Sequence, residues 1–345
     1  MDDLTPSLDE WSRLYQAAIK VKEVAPWEWM TETEVFGVQN PETDEIGFVS
    51  VMGMLGEHYS LAVYLGAEGL YGLWRFEDAA SSGDIEDGAP EDILQIPHLQ
   101  ASFENRNELT NKDRDIIKQL GLKFRGRQAW PLFRSYRPGF YPWYLEAHEV
   151  RFLAYALEQV VDVAMRCQAN PEILTPGDDQ TYLVRVSQGE DDAWEDRIVT
   201  VPPLGPASVT VMMDVDALEM LKRMPPRQVR LEIDLFMFPG QIGERGERPY
   251  YAYMLLVVES TSGVVLGTEL LRPDPTMEAM YGMIPVTLVH LFARMGIVPG
   301  EIRVRSKILF QLLELLRGEI GFRIHPTPTL PSLDYAKDFL MQRFY

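Results

Sequence analysis

The sequence predicts an α/β protein, in α+β arrangement, made of two mixed-sheet modules with helices packed on them. Three observations predict it. A chain of 345 residues with 46% hydrophobic content exceeds what one small core needs. Residues 26–80 read as strand, turn, strand, strand and helix, and a similar order returns near the C-terminus. Between the two lies PEILTPGDD at 171–179, rich in Pro, Gly and Asp and the best linker in the chain. The expected division is an N-terminal module over 1–170, a linker over 171–179 and a C-terminal module over 180–345.

The first element is a helix over 8–24. Trp11, Leu14, Tyr15, Ala18, Ile19 and Val21 recur at helical spacing, Ser7 with Glu10 forms a capping box, and Pro26 closes the helix. Strands follow at 34–38, 46–53 and 59–65, the first two joined by the turn at 40–44. A helix over 67–79 comes next, then an exposed acidic loop, SSGDIEDGAPED at 81–92. A strand near 96–103, a helix over 111–120 ended by Gly121 and a strand near 122–126 precede an aromatic, proline-rich extended segment, 128–144. That segment feeds the longest helix, 145–168. Beyond the linker, YLVRVS, RIVTVP and SVTVMM read as strands, 216–224 as a helix and 227–238 as a strand. A hairpin turning at 261–263 follows, then a helix over 276–295, a strand at 301–305, a helix over 306–318, a strand near 321–325 and a last helix over 332–342.

Charge narrows the function classes. The formal net charge of −20 disfavours non-specific binding to duplex nucleic acid or an anionic membrane. No run approaches the roughly 18 apolar residues of a membrane span, and the acidic N-terminus MDDLTPSLDEW is unlike a secretory signal. With Cys167 as its one cysteine, the chain is expected in a reducing cytoplasm. Residues 1–111 hold 22 acids against 5 bases, whereas residues 112–137 hold 8 bases against Asp113 and Asp115. A basic island therefore lies within an acidic protein.

The phrases PWEWM, FGVQNPETDEIGFVSVMG, YLGAEGL and WPLFRSYRPGFYPWYLEAHE resemble those of a family of bacterial proteins known as domains of unknown function. GERPYYAYMLLVVESTSGVVLG and LPSLDYAKDFL resemble a second such domain found with the first. Neither resemblance implies an activity. From about residue 228 the order of elements also resembles a ribonuclease H-like fold, with LVVESTSGVVLG like its first hairpin and MGIVPGEIRVRS like the run into its fourth strand. That resemblance implies two metal ions held by carboxylates. Glu259 stands nearest the first carboxylate position, but Arg303 and Arg305 stand where the second is expected, and a cation there repels Mg²⁺.

Most polar motifs have plain structural readings. The five histidines never pair at metal-ligand spacing, and Glu57-His58 has no evident partner. Glu146 and His148 face different sides of one helix. Asp214 and Asp216 could share a strand face, but Asp216 reads better as the cap of a helix from Ala217 and Asp214 as a strand end. Glu232 and Asp234 alternate with Leu231, Ile233 and Leu235, as on the wet face of a half-buried strand. Gly66, Gly69 and Gly72 lack a phosphate-loop lysine and read as close packing of helix on sheet. Cys167 reads as a buried thiol.

The basic island is the exception. Arg125, Arg127, Arg134 and Arg137 alternate with Trp130, Phe133 and Tyr136. Guanidinium groups bind phosphate bidentately, and aromatic faces stack on rings. Internal pairing with the acids of residues 1–111 competes with that role. The sequence therefore leads to a non-catalytic binding or scaffold protein without cofactor or metal. Its ligand would be a small phosphorylated or nucleotide-like anion held by Arg125, Arg127, Trp130, Arg134, Tyr136 and Arg137, or its partner another protein. The alternative is a divergent metal-dependent nuclease or phosphotransfer enzyme using Asp234, Glu259 and Asp334.

Overall fold

The computed structural model describes residues 4–82, 93–175, 177, 180–189, 193–205, 208–225, 227, 229–244 and 246–342. The acidic stretch 83–92 and linker residues 176, 178 and 179 thus lie outside the described residues. The chain divides into two compact units, Met1–Pro138 with Pro142–Pro206, and Ala207–Tyr345 with Gly139–Tyr141. Both are α/β.

Unit 1 begins with α1 (Leu8–Val24), whose capping box is present. The Ser7 amide donates to Glu10 at 2.6 Å, and the Glu10 amide donates to the Ser7 hydroxyl at 3.2 Å. Left-handed Ala25 and then Pro26 stop the helix. Strands β1 (Phe36–Gln39), β2 (Ile46–Met52) and β3 (Tyr59–Leu65) lead into α2 (Gly66–Ser82). Then come β4 (His98–Glu104), α3 (Asn111–Gln119), β5 (Trp130–Tyr136), α4 (Ala147–Ala169), β6 (Thr181–Ser187) and β7 (Trp194–Thr200). The seven strands run in the order β5-β4-β3-β2-β1-β6-β7, antiparallel except for the parallel β1–β6 pair.

Side chains alternate across this sheet with period two. Val49, Val51, Leu61, Val63, Leu99 and Phe133 enter a core with α1 and α4, while Phe48, Ala62, Tyr64, Tyr182 and Val184 pack beneath α2. Both faces are covered, so the central strands are apolar at consecutive positions. At Gly69 of α2, a Cβ would stand 2.7 Å from the Tyr64 carbonyl carbon, which accounts for glycine where helix meets sheet. Cys167 is buried, and burial pushes its thiol pKa up.

Three expectations are corrected here. Residues 122–126 form no strand, and β4 takes its partner from 130–136, inside the extended segment. The boundary between the units falls at 206/207 instead of 171–179, because β6 and β7 complete the first sheet: Gly37 and Val38 of β1 pair with Val184 and Arg185. A Cβ at Gly37 would meet the Val184 methyl at 2.8 Å, so glycine permits this parallel contact. Finally, 208–213 is no strand. Its Met212 amide donates to the Gly282 carbonyl at 2.9 Å.

Unit 2 contains α5 (Val215–Lys222), β8 (Arg230–Ile242), β9 (Tyr250–Glu259), β10 (Val265–Leu271) and α6 (Met277–Met295). It continues with β11 (Glu301–Val304), α7 (Lys307–Ile320), β12 (Arg323–Pro326) and α8 (Pro331–Met341). Its five strands run β10-β9-β8-β11-β12, with β8, β11 and β12 mutually parallel and β9 antiparallel to both neighbours. Leu231, Ile233, Ile302 and Val304 face a core with α5, α6 and α7. Leu256 and Val258 face Leu330, Leu333 and Ala336 at α8.

The meander starts at β8, so its first hairpin is β8–β9 and not the β9–β10 pair that LVVESTSGVVLG suggests. Glu232 and Asp234 are not on a wet face either. They are 2% and 5% exposed, because α8 covers that side of β8. The helix over 215–222 is capped by Asp214, two residues earlier than expected, with the Ala217 amide donating to its carboxylate at 3.0 Å. No helix among the described residues is long and apolar enough to cross a membrane.

Candidate functional site

The basic island separates into two parts. In the first, Arg134 lies along edge strand β5 and donates to both oxygens of Asp113, at 2.9 and 2.8 Å. Asp113 is also the third residue of α3, where it completes a capping box with Thr110. Burial pushes the Asp113 carboxyl up, but Arg134 and Thr110 outweigh it and hold the pKa below the ordinary value. Arg137 donates to Glu146 at 2.8 Å and to Glu149 at 2.9 Å, and Glu149 also accepts from the Ser135 hydroxyl at 2.7 Å. Tyr136 stacks on His98, opposite it on β4, with ring centroids 4.1 Å apart. Arg134, Tyr136 and Arg137 are thus committed inside unit 1. Their acids are Asp113, Glu146 and Glu149, not those of residues 1–111.

The second part is open. A cleft of about 540 Å³ lies beside α3, lined by Arg106, Arg114, Lys118, Lys123 and Arg125, with Asp115 as its one carboxylate among the described residues. Phe124 and Trp130 line it too, meeting edge to face at 5.8 Å, while Phe124 also stacks on the buried Tyr15. The aromatic wall is therefore anchored to the core. The Arg106 guanidinium lies 5.9 Å from the Trp130 ring centre. Among the described residues none of these five cations makes an ion pair; Arg114 instead bonds the Asn111 side chain. Arg127 is exposed and does not line the cleft.

Of the sequence-derived set, then, the fold gathers Arg125 and Trp130 and diverts Arg134, Tyr136 and Arg137. Arg114 and Lys118 come in because four residues apart on a helix is one face. Arg106 was missed, since only the pairing of β4 with β5 brings it to Trp130. Chemically the cleft offers an excess of positive charge beside a fixed π surface, which suits an anion carrying a ring.

The carboxylates of the alternative reading are otherwise engaged. Arg305 donates to Asp234 at 2.8 Å and to Asp334, lying between them as a cation of the protein's own. Burial still pushes the Asp234 carboxyl up, against the pull of Arg305. Glu259 is turned to its own hairpin, accepting from the Thr261 and Ser262 amides and the Ser262 hydroxyl. Among the described residues no three His, Cys, Asp or Glu side chains are grouped to hold a metal. His58 lies 3.6 Å from Glu104, and His148 lies 3.8 Å from Glu146.

Fold and site together define a two-unit α/β protein whose most open chemistry is cationic and aromatic. The chain belongs to the family of a domain of unknown function, DUF7309, which matches residues 11–185, half of the chain. Residues 217–341 match a second domain of unknown function, DUF6930. Comparison with curated proteins finds no match.

Proposed function

We propose that this is a non-catalytic binding protein of the bacterial cytoplasm that holds a small phosphorylated, ring-bearing ligand, nucleotide-like in character, in the cleft of unit 1. One observation carries the reading: five cations and two aromatic rings surround a cleft with a single carboxylate in a protein of net charge −20. The surrounding negative field excludes long polyanions, whereas the local cations attract a short one. The single cysteine accords with a reducing compartment.

The ribonuclease H-like reading of unit 2 is supported by its strand order, with β9 alone running against the other four strands. In that reading Asp234 stands on the first strand, and Arg305 follows the fourth where a carboxylate is expected. An arginine satisfied by two aspartates weighs against the metal-dependent enzyme.

The test is calorimetric titration of the full chain with ADP, ribose 5-phosphate and adenosine at low salt. ADP is expected to bind best. Replacing Arg114 and Lys118 with Ala should weaken ADP at least about tenfold, the worth of one charged hydrogen bond. Trp130→Ala should weaken ADP but not ribose 5-phosphate. Absence of saturable ADP binding, or ADP binding indifferent to all three substitutions, would overturn the reading.

A further inference from the structure

Three adjacent parallel strands of unit 2 begin in register, and their first residues are Arg230, Glu301 and Arg323. Arg303, two residues along β11, projects from the same face as Glu301. We propose that Arg230, Arg303 and Arg323, gathered around Glu301, form a binding site for a phosphate-monoester dianion.

All three guanidinium groups converge on one carboxylate. Arg303 Nε donates to Glu301 Oε1 at 3.1 Å, while Arg230 Nε and Arg323 Nη2 lie 3.8 and 3.7 Å from Oε2. The Glu301 side chain is 10% exposed, against 58, 39 and 74% for Arg230, Arg303 and Arg323. The carboxylate is thus the buried hub and the arginines are the open rim.

One arginine would neutralise Glu301, so the other two are surplus to that task. Exposed ion pairs contribute little to stability, which leaves the surplus without a structural purpose. Arg230 and Arg303 address Glu301 through Nε, and among the described residues their terminal nitrogens have no hydrogen-bond partner. The next carboxylate on that face, Glu232, accepts from the Leu333 amide at 2.8 Å and is buried. His325, opposite Arg303 on β12, is exposed beside the group and adds no negative charge.

Within 4 Å of Glu301 three cations meet one carboxylate, a local excess of two positive charges, and Glu232 opposite Arg303 offsets part of it. A phosphate monoester carries about −1.5 to −2 at neutral pH and offers oxygens that match the guanidinium fork. A phosphodiester carries half that charge, so the site favours the monoester over a nucleic-acid backbone. No enclosing cavity is needed for a group that arrives on a larger molecule.

The site is separable from the unit 1 cleft by experiment. The full chain carrying Arg114→Ala and Lys118→Ala, which disables that cleft, is titrated calorimetrically at low salt with phenyl phosphate, inorganic phosphate and dimethyl phosphate. Phenyl phosphate and inorganic phosphate are expected to bind saturably, and dimethyl phosphate at least about tenfold more weakly. Adding Arg230→Ala and Arg323→Ala should weaken the monoester at least about tenfold with an unchanged urea midpoint, since both side chains are exposed. Lysine at both positions should restore only part of the affinity, because the fork is lost. Equal binding of dimethyl phosphate, no effect of the Arg230 and Arg323 changes, or no monoester binding once the cleft is disabled would each overturn this site. The last result would leave the cleft proposal standing.

Discussion

Arg134 and Arg137, on and just after edge strand β5, and the arginines around Glu301 do opposite things. Arg134 and Arg137 meet Asp113, Glu146 and Glu149, so carboxylates equal or outnumber cations. Around Glu301 three cations share a single carboxylate, and five cations line the cleft beside α3 against one carboxylate that, among the described residues, pairs with none of them. Where charges balance, the arginine belongs to the architecture. Where cations are in excess, we place the two proposed anion sites.

This contrast can be broken by mutation. The largest effect is expected from Arg134→Ala, which strands Asp113, only 8% exposed at its side chain. Breaking such a nearly buried pair should cost about 3 kcal/mol in urea unfolding. A loss below about 1 kcal/mol would place Arg134 with the surface pairs.

Acid should separate the two units next. His98 is buried, donates from Nδ1 to the Ile96 carbonyl at 2.8 Å, and lies between Tyr64 and Tyr136. Burial pushes its pKa down from 6.5 to about 4. Above pH 6.5 the ring is neutral in both states and the contribution is complete. As pH falls from 6.5 toward 4, the unfolded chain takes the proton first, and unit 1 loses up to about 3 kcal/mol. Asp113 and Glu149, held below their ordinary values, extend the loss at lower pH. Asp234 in unit 2 has a raised pKa and works in the opposite sense. Unfolding followed from pH 7 to 4 should therefore show unit 1 weakening first, and His98→Phe should flatten that limb.

Arg305→Ala should destabilise unit 2 by about 2 kcal/mol, because buried Asp234 loses its cation while Asp334 remains solvated. Its urea curve, compared with that of Arg134→Ala, ranks the two pairings. The smallest effect is expected from Arg125→Ala with Arg127→Ala. Both residues are exposed, so the urea midpoint should not move, although ADP affinity should fall through Arg125.

The helices and most strands were legible because their signals are local. Ser7 with Glu10, the stripe of α4 and the alternation of β8 each lie within a few turns of chain. What escaped depends on partners distant in sequence. The strand at 122–126 failed because β4 chose 130–136, and 208–213 failed because it docks on α6 instead of a ladder. The same limit applies to the sites. Alternation of Arg with aromatics at 125–137 looked uniform, yet strand pairing and α3 divided it into paired and open members. The trio around Glu301 was invisible because its members come from three strands.

The parallel pairing of β1 with β6 has a consequence for the order in which the protein is made. The N-terminal strands leave the ribosome first, and β1 then waits, with one backbone edge bare, while α4 and all that precedes it are synthesised. Until β6 arrives, Phe36 and Val38 border a strand that any other extended chain could extend. A polypeptide cut at residue 170 would keep that bare edge permanently, and one cut at residue 206 would not. The hairpin of β6 and β7 is therefore the clasp that seals the first unit as translation moves into the second.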